Sequence, residues 1–256
     1  MPRFLNLGCG SCFSTTPEWT NLDKTGNKQG VVAHDVYKPL PFVDGEFDAV
    51  YHSDLLEHLY KRFAPLFMAE CYRVLKRGGV LRVAIPDLEQ ACRLYLDALA
   101  GARAGDAQSA ARYRWLVVEL VDQMTRHRSG GEMLNYWTYD PMPAEAFVIA
   151  RCGQEVIGAI HGLRKSGAVP LPDPGGPTLG EMDAAAVGKF RLSGQAHLWM
   201  YDSYSLGELF NGAGFRNVRQ CVVGESAIPN WASYNLDTMP DGSVRKPDSI
   251  YMEGVK

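Results

Sequence analysis

The sequence predicts a doubly wound α/β fold: a mostly parallel sheet carrying an inserted cap of helices and loops. Three observations lead there. Over the first 90 residues, short apolar runs end at glycine or polar punctuation, and a longer stretch of helical spacing lies between the last two of them. From about residue 91 to 195 the texture changes, and from about residue 196 the regular pattern returns. Strands alternating with helices read as a parallel sheet with crossover connections.

In chain order, "RFLNLG", "WTNLD", "VVAHDV", "FDAVYHS" and "GGVLRVAIP" read as five strands. The stretch beginning "DLLEHL" carries Leu55, Leu59, Leu66, Phe67, Cys71, Val74 and Leu75 at mostly helical spacing, with Pro65 as a break or fresh start and Gly78 as the stop. Residues 88 to about 122 read as one or two amphipathic helices interrupted near "AGARAGD". Residues 123 to about 195 lose periodicity, and "AVPLPDPGGPTLGE" within them is too rich in Gly and Pro for a regular element. A helix over 205–213 capped by Gly214, a strand after it, and a last strand in "DSIYMEG" complete seven strands. The implied organisation is 1–90 as the first part of a core, 91–195 as a cap or lid, and 196–256 as the second part of the core.

Composition narrows the function classes. A chain of 256 residues, 46% hydrophobic, can bury a full core. A net charge of −3 offers no field for a phosphate backbone, so nucleic acid is not an expected partner. With no leader pattern and no run of about 18 apolar residues, neither secretion nor membrane insertion is expected, and the cytoplasm is the expected location. The six cysteines then read as thiols, and the Cys9-x-x-Cys12 pair lacks the second pair that a zinc ribbon needs.

The most informative stretch is "LNLGCG". A strand ending in Gly-x-Gly lets backbone amides approach a ligand, since glycine has no Cβ and tolerates positive φ. A nicotinamide dinucleotide would call for a third glycine where Phe13 stands. Asp23 comes fifteen residues after Gly8, so the usual first helix is shortened or replaced by the loop "SCFSTTPEW". Its carboxylate, ending the second strand, can accept both hydroxyls of a ribose. The plainer reading is an acid in a turn.

These residues, with "HDVYKPLPFVDGEFDAVYHSDLLEHL" and "ECYRVLKRGGVLRVAIPDL", resemble in order and spacing the class I S-adenosylmethionine-dependent methyltransferases of the small-molecule type 11 group. The resemblance covers residues 3 to about 90 closely. It implies a Rossmann-like sheet, S-adenosyl-L-methionine as cofactor and S-adenosyl-L-homocysteine as product. It also implies a site: Leu7, Gly8, Cys9 and Gly10 beside the amino-acid end, Asp23 and Lys24 at the ribose, Asp35 and Val36 at the adenine, and His52 with Ser53 as the floor under the methionine. Cys12 stands where the family often has a third glycine.

Methyl transfer from a sulfonium is an in-line displacement, so alignment matters most and a base helps only when the acceptor must lose a proton. "DLLEHL" places Asp54, Glu57 and His58 at the start of a helix. Their spacing resembles a metal-holding ExxEH arrangement, but the expectation is that Asp54 caps the helix, no metal is bound, and His58 serves the acceptor side. "HLWMYD" alternates His197, Trp199 and Tyr201 along an extended segment, either as a base with an aromatic wall or as packing. Arg126, with His127, Arg128 and two glycines, suits a lid over an anionic or hydroxylated acceptor, or a solvated cluster. The expected reaction is methylation of a small-molecule hydroxyl on a sugar, polysaccharide precursor or natural product. Alternatives are N-methylation, a non-catalytic adenosyl-binding protein and, last, an NAD-dependent oxidoreductase. A homodimer stays open.

Overall fold

The computed structural model describes residues 1–26, 28–153, 155–169 and 183–256. Seven strands form one sheet: β1 (Phe4–Leu7), β2 (Trp19–Asp23), β3 (Val31–Ala33), β4 (Phe47–Ser53), β5 (Leu75–Pro86), β6 (Arg216–Gln220) and β7 (Ser249–Val255). Their order is β3-β2-β1-β4-β5-β7-β6. The first five run parallel, while β7 is antiparallel to both β5 and β6. The expected α/β class and mostly parallel sheet are borne out. The order reverses between β1 and β4, and in open parallel sheets that switch point opens a crevice at the carboxyl ends of the strands.

Two compact units divide the chain, and the sheet belongs to the first, made of Met1–Asp87, Trp199–Arg245 and Ser249–Lys256. On one face, Leu5, Leu7, Val50, Leu81 and Val83 pack with α1 (Ala64–Val74) through Phe67, Met68 and Cys71, and with the helix Ser203–Gly212 through Leu206 and Phe210. On the other, Phe4, Trp19, Ala49, Tyr51 and Val80 pack against Ile228, Trp231 and Leu236 of residues 224–245. Among the described residues no helix joins β1 to β2, β2 to β3 or β3 to β4. The loop that the close spacing of Gly8 and Asp23 implied is therefore real, and the C-terminal segment covers sheet that a helix after β1 would shield.

The helix expected from Asp54 starts ten residues later. Asp54 takes a positive φ of 48°, and only one 3-10 turn, Leu56–His58, precedes α1. No side chain caps that turn, so the capping role expected of Asp54 is not filled. Pro65 falls in the first turn of α1, where its missing N–H costs nothing. The helix ends at Val74 and runs straight into β5, three residues before the expected strand start and ahead of Gly78.

The second unit, Leu88–Leu198 with Lys246–Asp248, is helical. The predicted interruption near residues 100–106 separates α2 (Leu88–Arg103) from α3 (Ala107–Thr125), whose N-cap Asp106 accepts from Ser109 N–H at 2.7 Å. Among its described residues, the stretch read as aperiodic holds four short helices: α4 (Gly131–Trp137), α5 (Glu145–Cys152), α6 (Glu155–Lys165) and α7 (Ala184–Arg191). Each is too short for a long window to register its period. The helices α4, α5 and α6 share a core around Trp115, Leu116, Tyr136, Val148 and Ile160, whereas α7 buries no residue. The Gly/Pro-rich run, apart from Ala168 and Val169, lies outside the described residues. The last helix, α8 (Ser203–Gly212), begins two residues earlier than expected because Asp202 and Ser205 form a capping box. No helix among the described residues is long and apolar enough to cross a membrane.

Candidate functional site

The carboxyl end of β1 turns sharply at Gly8 (φ 64°) and Gly10 (φ 51°). Both lie in the left-handed region that favours glycine. A Cβ on Gly8 would sit 2.8 Å from Leu55 Cδ1, whereas one on Gly10 would meet nothing within 4 Å among the described residues. Gly8 thus serves close packing, and Gly10 keeps open space beside the backbone. Between them the Cys9 N–H donates to Leu22 O at 3.1 Å, carrying the β1–β2 ladder past Leu7. Burial, together with the nearby Asp23 carboxylate, pushes the Cys9 thiol up to about 11, so it stays a protonated packing group.

Asp23 stands across from this turn at the end of β2. Its Oδ2 accepts the Gly10 N–H at 2.9 Å, and its Oδ1 accepts Thr25 N–H at 3.1 Å and Thr25 Oγ1 at 3.3 Å. A carboxylate has about four acceptor positions, so three are filled and a ribose would add to or displace the exposed Thr25 contacts. Lys28 Nζ donates to Gly10 O at 3.1 Å and lies 5.9 Å from the centre of the Phe13 ring. Thr25 and Lys28 were not singled out by the sequence, where nothing distinguishes them from ordinary turn residues. Lys24 is exposed beside them.

Asp35 is half-buried in the loop after β3 and accepts the Tyr37 N–H at 3.1 Å, and Val36 packs on the main core. The strand expected to reach Val36 stops at Ala33. His52 departs from its expected place. It is fully buried on the face covered by α1, its ring centre 5.3 Å from that of Phe67, and neither ring nitrogen has a hydrogen-bond partner among the described residues. Burial lowers its pKa to about 3. A neutral core histidine is no floor for a ligand, and Ser53 beside it is half-buried at the strand end.

On the acceptor side, the expected extended run His197–Trp199–Tyr201 is broken by bends at Ala196 and Leu198. His197 is buried in the helical unit, its N–H donating to Gln123 O at 2.9 Å. Trp199 and Tyr201 belong to the sheet unit. Trp199 is partly exposed beneath Lys61 Nζ, 4.1 Å from its ring centre, and its N–H donates to Glu57 O at 3.2 Å. Tyr201 is buried beside the end of β5, bridging to Asp87, and its hydroxyl has no hydrogen-bond partner among the described residues. Burial and the Glu57 carboxylate push its pKa up to about 12, so it can donate but not ionise. His58 closes the 3-10 turn after β4. Arg126 is not a loose lid cation: it pairs with buried Asp122, which also accepts Glu132 N–H at 2.6 Å at the start of α4. That pair fixes a helix terminus rather than awaiting an anion.

Residues 14–83 match the family model of a methyltransferase domain. The matched stretch is about a quarter of the chain. No curated protein matches the sequence. Among solved structures, a SAM-dependent methyltransferase from Archaeoglobus fulgidus is 12% identical over 100% of this chain and 86% of its own, at a TM-score of 0.42. The PH0226 protein of Pyrococcus horikoshii is 21% identical over 36% of this chain, at a TM-score of 0.30, and this chain spans 53% of its length. The glycine turn after β1, the Asp23 carboxylate at the end of β2 and the Asp35 carboxylate after β3 follow the carboxyl ends of three neighbouring parallel strands.

Proposed function

We propose that the protein transfers a methyl group from S-adenosylmethionine to a hydroxyl of a small molecule. The observation that carries this reading is the Gly8-Cys9-Gly10 turn held at 2.9 Å to Asp23 on the carboxyl side of the switch point. Gly10 leaves room for the amino-acid end, Asp23 accepts ribose hydroxyls, and Asp35 accepts from the adenine amino group, with Val36 against the base and Ser53 beneath the methionine. The cofactor supplies the sulfonium methyl. What remains for the chain is to align the acceptor and take its proton, and His58 is our assignment for the base. Trp199 supplies an aromatic wall and Tyr201 a hydroxyl donor. Sugars, polysaccharide precursors and hydroxylated natural products are the acceptors such a donor set favours. The test is methyl transfer from labelled S-adenosylmethionine to panels of hydroxyl- and amine-bearing small molecules. Label in hydroxyl acceptors, lost in His58→Ala, supports the reading; label confined to amines overturns the acceptor class.

A further inference from the structure

With no helix after β1, something else must hold the loop that carries Gly8 and Gly10. Local turns such as Cys12 N–H on Cys9 O at 2.9 Å and Ser14 Oγ paired with Thr16 Oγ1 at 3.0 Å shape residues 8–18 but do not tie the middle of the loop to the rest of the unit. Instead, Cys12 Sγ donates to Leu236 O at 3.4 Å, and Tyr234 Oη donates to Glu18 Oε1 at 3.1 Å. The Tyr234 ring also packs on Trp19 and Phe4, with centres 5.3 and 5.9 Å apart. From the sheet side, Asn6 Nδ2 donates to Cys12 O at 3.2 Å and Asn21 Nδ2 to Ser14 O at 2.9 Å.

The far end of these contacts is anchored in the sheet itself. Asp237, next to Leu236, is 3% exposed and accepts from Arg82 Nε at 2.7 Å, Tyr51 Oη at 2.7 Å and Trp231 Nε1 at 3.1 Å. Arg82 in β5 stands opposite Glu253 in β7 and bonds it at 2.8 Å, and Glu253 also accepts the Ala227 N–H at 3.0 Å. Ala227 near the start of residues 224–245 and Asp237 further along are thus tied to one buried charge cluster on β5 and β7. Buried charged groups that each hold several hydrogen bonds restrict the geometry of the segment that carries them.

We propose that residues 224–245 form a strap that positions the cofactor loop, with Cys12 and Tyr234 as its positioning residues. The strap does the work of the absent helix: it holds the Gly8–Gly10 turn in the conformation that meets Asp23. This rests on the cofactor reading above.

The test uses the full chain and three variants, Cys12→Ala/Tyr234→Phe, Cys12→Ser/Tyr234→Phe and Cys12→Ser, with two readouts: calorimetric affinity for S-adenosylhomocysteine, and amide exchange of residues 9–18 without ligand. Removing both contacts is expected to weaken binding about tenfold and to speed loop exchange about as much, while amides of β5 and β7 keep their protection. Serine restores a donor at residue 12, so Cys12→Ser is expected to stay within about threefold of the parent, and the serine double variant to fall between. A merely structural role would instead lower protection in β5 and β7 together with the loop. Parent-like affinity and loop exchange in the alanine double variant overturn the strap. If the parent itself fails to bind S-adenosylhomocysteine, the cofactor reading falls, and the exchange data alone decide whether the strap orders the loop.

Discussion

Replacing His52 by leucine tests how this core is built. The imidazole is fully buried against Phe67, with both nitrogens unpartnered among the described residues. Two consequences follow. Near pH 8, where the ring is neutral in either state, an apolar side chain of similar volume removes unsatisfied polar atoms, and stability should rise by about 1–3 kcal/mol. As pH falls, the folded ring stays neutral because burial lowers its pKa from 6.5 to about 3, whereas the unfolded chain takes up a proton below 6.5. Its contribution to stability is therefore intact above pH 6.5 and declines between 6.5 and 3, at about 1.4 kcal/mol per pH unit. Between pH 8 and pH 5 that amounts to ~2 kcal/mol, lost by the parent and not by His52→Leu. Urea titrations of both proteins at pH 8, 7, 6 and 5 measure the difference. Parallel stability curves for parent and variant would refute the reasoning, since they would mean that the folded ring titrates like the unfolded one.

The glycines should separate by readout. Gly8→Ala, strained in φ and pressed on Leu55, is expected to lower stability by about 1–3 kcal/mol in urea melts. Gly10→Ala shares the φ strain but meets no neighbour, so its larger effect is expected on S-adenosylhomocysteine affinity, by titration. Arg82→Met leaves Asp237 and Glu253 buried without their cation and should cost about 3–5 kcal/mol in the same melts, more than any surface pair. Tyr201→Phe removes a hydroxyl without a partner among the described residues, so stability should hold within ~0.5 kcal/mol while the methyl-transfer rate falls. An unchanged rate would remove Tyr201 from the acceptor side.

What the sequence reveals and what it conceals divide along physical lines. Strands β1, β2 and β4 are legible because apolar runs end at glycine or polar residues, and the cofactor turn is legible because Gly-x-Gly ends such a run. Spacing alone announces that the first helix is missing. What replaces it is invisible, since Cys12 and Leu236 are 224 residues apart and no local pattern pairs them. One signal was there to read: Arg82 and Glu253 are charges in the middle of apolar strands, and such a pair can stay buried only together. His52 misleads because its place at a strand end looks like a site, while the pleat turns its ring toward α1. The short helices α4 to α7 escape because each spans few turns, and α4, α5 and α6 are separated at Pro141 and Gly153.

The central claim is that the Gly8–Gly10 turn and Asp23 hold an adenosyl cofactor. Calorimetric titration with S-adenosylhomocysteine and with NADH, on the parent and on Asp23→Ala, tests it most directly. The account predicts binding of S-adenosylhomocysteine to the parent, none of NADH, and a loss of at least tenfold in Asp23→Ala, where Gly10 also loses its acceptor. Binding of NADH, or no adenosyl binding by a protein whose circular dichroism shows it folded, would contradict it.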